Sequence, residues 1–104
     1  MNKREIEEGN DLIIDFCEYR KLPHFNIRIF EYHKRWEQLM PIVEKIEALK
    51  EFLISVDIYK RSCQIRISDL HGDKIQSIYY RLDTKIDSVF KSVVEFIKWY
   101  NDKK

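Results

Sequence analysis

Glycine and proline are scarce, two of each in 104 residues. Few places can punctuate such a chain, and no repeat, linker or low-complexity tract is visible. With only Gly9 and Gly72, no phosphate-cradling loop of the P-loop or dinucleotide kind can be built, since each needs clustered glycines. The two cysteines, Cys17 and Cys63, cannot form a disulfide framework and lack C-x-x-C spacing. Two thiols in a reducing cytoplasm is a simpler reading than one bridge. The longest uncharged apolar run is Leu39-Met40-Pro41-Ile42-Val43, far short of the ~20 residues a spanning helix needs. The first eight residues have no apolar stretch of the kind a secretory signal requires. These absences predict a soluble, cytoplasmic protein. Neither sign of charge dominates: 19 Lys and Arg against 18 Asp and Glu leave +1. That argues against a dedicated basic nucleic-acid binder while leaving room for a local patch.

What is present suffices for a core. Hydrophobic residues make up 44% and aromatics 13%, and the length suits one domain spanning residues 1–104. Residues 3–20 read as a helix, with Ile6, Ile13 and Cys17 on one face, flanked by Leu12, Ile14 and Phe16, and with Gly9 offering room for close packing. Leu22-Pro23 ends it. Residues 25–31 alternate and read as a short edge strand or an extended connection. Residues 34–50 return to helical spacing through Trp36, Leu39, Met40, Val43 and Ile46. Pro41 implies a kink or a helix restarting there. Three strand-like runs follow, at 52–59, 62–68 and 75–82. Their short connections make hairpins, because parallel crossovers need a dozen or more residues. Lys60-Arg61 is poor chemistry for a two-residue primed turn, which favours Asn or Gly, so a wider turn is expected. Residues 85–102 form the clearest helix, with Thr84 and Asp87 resembling a capping box and Ile86, Val89, Phe90, Val93, Ile97 and Tyr100 on one broad face. Trp99 falls about 120° from that face at 100° per residue. The expected fold is α+β in the order α-(β)-α-β-β-β-α, an antiparallel sheet of three or four strands packed against helices.

The chemistry-bearing residues are few. Cys17 and Cys63 with His24, His33 and His71 are the only material for a thiol nucleophile and its base. Both cysteines occupy apolar positions, where a thiol behaves as a small hydrophobe. No pair has zinc-finger spacing, and Asp69-Leu-His-Gly-Asp73 lacks the later ligands of a calcium loop. The paired carboxylates lie on helical surfaces and read as solvated faces. No catalytic, metal or cofactor residue is therefore assigned, and no cofactor is expected. Two surfaces remain. The outward side of the sheet would carry Ser55, Tyr59, Gln64, Arg66 and either Tyr79 or Tyr80. Tyr59, Arg66 and Tyr79 are the candidate ligand-binding residues, because Tyr and Arg on an open sheet can stack bases. The competing expectation is a helix covering that side with the tyrosines as its packing partners. The second surface is Phe96, Trp99 and Tyr100, candidate interface anchors.

Three segments carry a resemblance: Ile6-Glu7-Glu8-Gly9-Asn10-Asp11-Leu12-Ile13, Tyr32-His33-Lys34-Arg35-Trp36 running on through Leu39-Met40-Pro41-Ile42-Val43-Glu44-Lys45-Ile46-Glu47, and Val93-Val94-Glu95-Phe96-Ile97-Lys98-Trp99-Tyr100-Asn101. Together they resemble a family of small uncharacterised proteins of Bacteroidetes, their prophages and phages. Cys17-Glu18 departs from that pattern, which has a Met-Gly-like helix end there. The resemblance implies a phage or mobile-element setting and no reaction chemistry. The function expected is that of a non-catalytic accessory that binds a host or phage protein, with a homodimer as the most economical case. The alternative is a binder of a small nucleotide or nucleic acid through the sheet.

Overall fold

Asn2 opens the first helix: its side-chain oxygen accepts the N–H of Glu5 at 2.8 Å, satisfying one of the donors a helix start leaves free. The computed structural model describes residues 1–103. It holds α1 (Lys3–Phe16), α2 (Trp36–Glu47), β1 (Leu53–Tyr59), β2 (Ser62–Ser68), β3 (Lys74–Arg81) and α3 (Lys85–Asp102). The strands pair antiparallel in the order β1-β2-β3. The fold is α+β, as the patterning predicts. Among the described residues no helix is long and apolar enough to cross a membrane.

Helix α3 organises the core. Thr84 Oγ1 accepts the Asp87 N–H at 3.1 Å, half of a capping box. Val89, Phe90, Val93, Phe96 and Ile97 are buried, and the helix lies against β2, β3 and α1. Ser88 and Ser92 are fully buried on it. Ser88 Oγ accepts the Leu82 N–H at 2.7 Å and donates to the Arg61 carbonyl; Ser92 Oγ donates to the Cys63 carbonyl at 3.4 Å. These small hydroxyls let the helix lie close to the strands while giving backbone groups partners. Gly9 does the same at the contact of α1 with α3: a Cβ there would stand 2.6 Å from Phe90 Cζ and 2.9 Å from Val94 Cγ2.

Four expectations are corrected. Residues 25–31 are not a strand. Helix α1 ends at Cys17, and two 3-10 turns, Tyr19–Lys21 and Ile27–Ile29, follow. Phe25 and Phe30, five residues apart, instead join an aromatic stack, with Phe30 against Tyr19 at 5.5 Å, Phe25 at 5.8 Å and Tyr32 at 5.7 Å. Ile27 and Ile29 are exposed, so the alternation there is not a buried strand face. Second, α2 does not restart at Pro41 but runs from Trp36 through it to Glu47. The proline removes one bond, to the Glu37 carbonyl, yet Leu39, Ile42, Val43 and Ile46 stay buried. Trp36, read as the start of that stripe, is exposed. Third, the β1–β2 turn is the tight two-residue one: Tyr59 pairs directly with Ser62, and Lys60 adopts φ +52°. Fourth, among the described residues no helix covers the outer side of the sheet. Tyr59 and Tyr79 are 69% and 57% exposed, while Cys63, Ile65, Ile67 and Ile78 on the other side are buried.

Glu18 adopts φ +58°. This is the left-handed residue that commonly follows a helix, usually glycine. Its N–H donates to the Asp15 carbonyl at 3.1 Å and its carboxylate pairs with Lys21 at 3.0 Å. Asn10 then ties α1 to the segment before α2. Its Oδ1 accepts the Tyr32 N–H and its Nδ2 lies 3.2 Å from His33 Nδ1.

Cys17, Cys63 and Tyr32 are buried, and burial pushes all three groups up from their ordinary values of 9.0 for the thiols and 10.0 for the phenol. The folded chain therefore keeps these protons to higher pH than the unfolded chain. Stability is whole well below the ordinary thiol value of 9.0 and falls as pH rises through it, because the unfolded state ionises first. Thermal melting between pH ~8 and ~10.5 checks this; replacing both cysteines by alanine should flatten the decline. The Tyr32 hydroxyl is buried without a hydrogen-bond partner among the described residues. Tyr32→Phe should accordingly be neutral or stabilising by up to ~1 kcal/mol at pH 7, and should reduce the alkaline loss further.

Candidate functional site

The three strands place every second residue on the uncovered face. Asp57, Gln64 and Tyr79 form one cross-strand row, and Tyr59, Ser62 and Arg81 form the next. Of the candidates Tyr59, Arg66 and Tyr79, the two tyrosines stand open on this face. Tyr80 turns inward, where Lys91 Nζ lies 5.8 Å from its ring centre. Arg66 is in the right place but engaged: its Nη2 is 2.5 Å from Asp57 Oδ2, which cancels most of its charge. Gln64 Nε2 donates to Ser77 Oγ at 3.1 Å. Near the tyrosines, the cations without an ion-pair partner among the described residues are Lys60, Arg61 and Arg81. With Tyr59, Ser62 and Tyr79 they line a concavity of about 300 Å³. Reading the strands singly missed Arg61 and Arg81. The hairpin register, once known, would have placed them beside Tyr59.

The second candidate set separates. Phe96 is fully buried, so it is a core residue and not a surface anchor. Tyr100 stacks on Phe96 at 5.8 Å and meets Phe16 edge-on at 5.9 Å, leaving it half-buried. Trp99 is half-buried too, tilted against Phe52 at 5.3 Å and Phe96 at 5.9 Å. Helical-wheel arithmetic set Trp99 outside the main face. Phe52, arriving from just before β1, supplies a second wall that a single-helix projection cannot contain. The rest of Trp99 borders a groove of about 640 Å³. One wall is five successive residues of β3, Gln76 to Tyr80; the other is Glu95, Lys98, Trp99 and Asp102, spaced as one face of α3. Strands β1 and β3 are the two edges of the sheet, with α2 packed against β1 and α3 against β3.

The other chemistry-bearing residues are dispersed. His24 and His71 are exposed at separate turns, and His33 is half-buried beside Asn10, with burial lowering its pKa. The Asp69 carboxylate accepts the N–H groups of His71 and Asp73 at 2.9 and 3.0 Å, which fixes the β2–β3 turn around Gly72 at φ +92°. Among the described residues no group of three His, Cys, Asp or Glu side chains could hold a metal ion. Comparison with known proteins finds no family model, no curated protein and no solved structure that matches the chain.

Proposed function

We propose that the protein acts by binding a partner protein, and that the partner adds an extended segment as a fourth strand along β3. The observation that carries this is the groove in which five successive residues of an edge strand face one side of a helix. An edge strand presents a row of backbone N–H and C=O groups that only another extended chain can pair one for one. Residues Gln76 to Tyr80 contain neither proline nor charge, the usual devices that blunt an edge. Trp99, in the groove's α3 wall, is a residue type that often anchors interfaces.

Charge narrows the partner. Lys74 and Arg81 bracket β3 and have no carboxylate in ion-pair distance among the described residues. A second copy pairing the whole of β3 antiparallel to itself would set Lys74 opposite Arg81 at both ends, and like charges directly opposite are unfavourable. An extended segment with acidic residues at its ends is complementary, which favours a different protein over a homodimer. The phage or mobile-element setting implied by the resemblance would place that partner among host or phage proteins.

The test is site-specific photo-crosslinking from position 98 in the host, followed by titration of the captured segment as a peptide. The amides of Gln76 to Tyr80 should shift and gain exchange protection. Trp99→Ala should weaken the peptide at least ~10-fold. Its cost to stability should be about 2 kcal/mol, below the ~3–5 of a fully buried Trp, so the variant stays folded for the measurement. Crosslinks that map to segments leaving the β3 amides unmoved would refute strand addition.

A further inference from the structure

At the β1–β2 end of the uncovered face lies a second site, which shares only Tyr79 with the lining of the β3 groove. Tyr59, Ser62 and Arg81 form one row, and Tyr79 stands two residues from Arg81 on the same side. The turn adds Lys60 and Arg61, and the six residues enclose about 300 Å³. Three of the six are cations and none is an acid. Several cations elsewhere are paired: Arg66 with Asp57, Arg20 with Asp11 and Asp15, Arg35 with Glu31. Among the described residues Lys60, Arg61 and Arg81 have no such partner. In a chain of net charge +1, this cluster is a local positive field. Lys60 keeps its place at φ +52°, where Asn or Gly would sit with less strain, and its Nζ lies 5.5 Å from the Tyr59 ring centre.

We propose that this concavity binds a nucleoside monophosphate, with the base against the exposed rings of Tyr59 and Tyr79 and the phosphate held by Arg61, Arg81 and Lys60. Planar guanidinium groups grip phosphate oxygens in pairs, and tyrosine faces stack any base. The size argues for one nucleotide and not a strand: the volume is at the bottom of the usual ~300–1,000 Å³ of small-ligand sites. The cations also stop at this end. Further along the same face come the paired Arg66 and the exposed apolar Leu53 and Ile75, which offer no track for a phosphodiester backbone.

The experiment is a titration of the whole protein, followed by amide NMR, with AMP, adenosine and inorganic phosphate at ~100 mM salt. AMP should shift residues 59–62 and 79–81 and bind at least ~10-fold tighter than adenosine or phosphate alone, since it engages both halves of the site. The double variant Arg61→Gln with Arg81→Gln should weaken AMP at least ~10-fold. Tyr79→Leu should weaken it by ~5-fold or more, and Arg66→Gln by less than ~2-fold, because that charge is already engaged. All these residues except Ser62 are exposed, and melting curves confirm the fold of each variant. The proposal is overturned if AMP moves none of these amides at millimolar concentration, if phosphate alone binds as well, or if Arg66→Gln matches the double variant. An oligothymidylate that binds more than ~100-fold tighter than AMP and displaces it would replace the nucleotide with a nucleic acid strand. Trp99→Ala should leave AMP binding intact, which separates this site from the groove that shares Tyr79.

Discussion

Replacing Gly9 with valine is expected to destabilise the protein by about 3 kcal/mol or more. The position is buried in α1, and even a single Cβ would stand 2.6 Å from one carbon of the Phe90 ring and 2.9 Å from a methyl of Val94. Phe90 is itself buried, so its ring cannot swing into solvent to make room. The helices must separate, or the ring must leave its rotamer; overpacking of this kind typically costs ~1–3 kcal/mol and at times more. Alanine isolates the two opposing effects. Its better helix propensity is worth ~1 kcal/mol, and the contact opposes it. Gly9→Ala should therefore come out destabilising, and Gly9→Val well beyond it. Urea unfolding monitored by circular dichroism measures both. An alanine variant stabilised by the full propensity difference would show that α1 and α3 are not in close contact at this point.

Val93→Asp should be the most damaging substitution, at about 4 kcal/mol or more. Val93 has no exposed surface and lies mid-way along α3. An aspartate there must bury a carboxylate without a partner or open the core to water. Against a total stability of ~5–15 kcal/mol for a domain of this size, such a change leaves the native state marginal. The buried carboxyl will hold its proton well above the usual carboxylate range, so the deficit should shrink between pH ~7 and ~4.5 as the side chain becomes neutral. Lys98→Asp, on the exposed side of the same helix, should change stability by ~1 kcal/mol or less. A melting temperature for Val93→Asp within a few degrees of the parent would mean the buried face of α3 lies elsewhere.

The same helix shows which features a one-dimensional pattern can carry. The 3.6-residue period of α3, its Thr84 cap and the two-residue period of β1 and β2 are each stated within a single element, and all match the structure. Alternation at 25–31 carried the same kind of signal with a different cause. Phe25 and Phe30, of opposite parity, join an aromatic stack with Tyr19 and Tyr32, while Ile27 and Ile29 stay exposed, so the alternation marks no buried face. The Lys60-Arg61 turn defeated composition in the other direction: seven matched pairs between β1 and β2 hold a lysine at positive φ that local preference disfavours.

The candidate residues divide along the same line. Tyr59 and Tyr79 were legible because alternation alone assigns them to the outward side. That this side is open was not legible, since it depends on where three helices go, and all the apolar strand residues they cover lie on the other side. Arg66 was correctly placed on that face, but Asp57 on the neighbouring strand neutralises it. Lys60, Arg61 and Arg81 gather only when three strands are set in register.

By itself the amino-acid sequence determined the α+β class, the three strands and their hairpin order, the amphipathic helices and the buried thiols. Each follows from the spacing of apolar residues along one element and from the shortness of the connections. Tertiary structure alone decided that Phe96 is core while Trp99 borders a groove, that the edge strand β3 lines that groove, and that three cations with no ion-pair partner among the described residues meet two tyrosines. These are relations between elements far apart in sequence, set by strand register, by close contacts at Gly9, Ser88 and Ser92, and by which neighbour reaches each charge first.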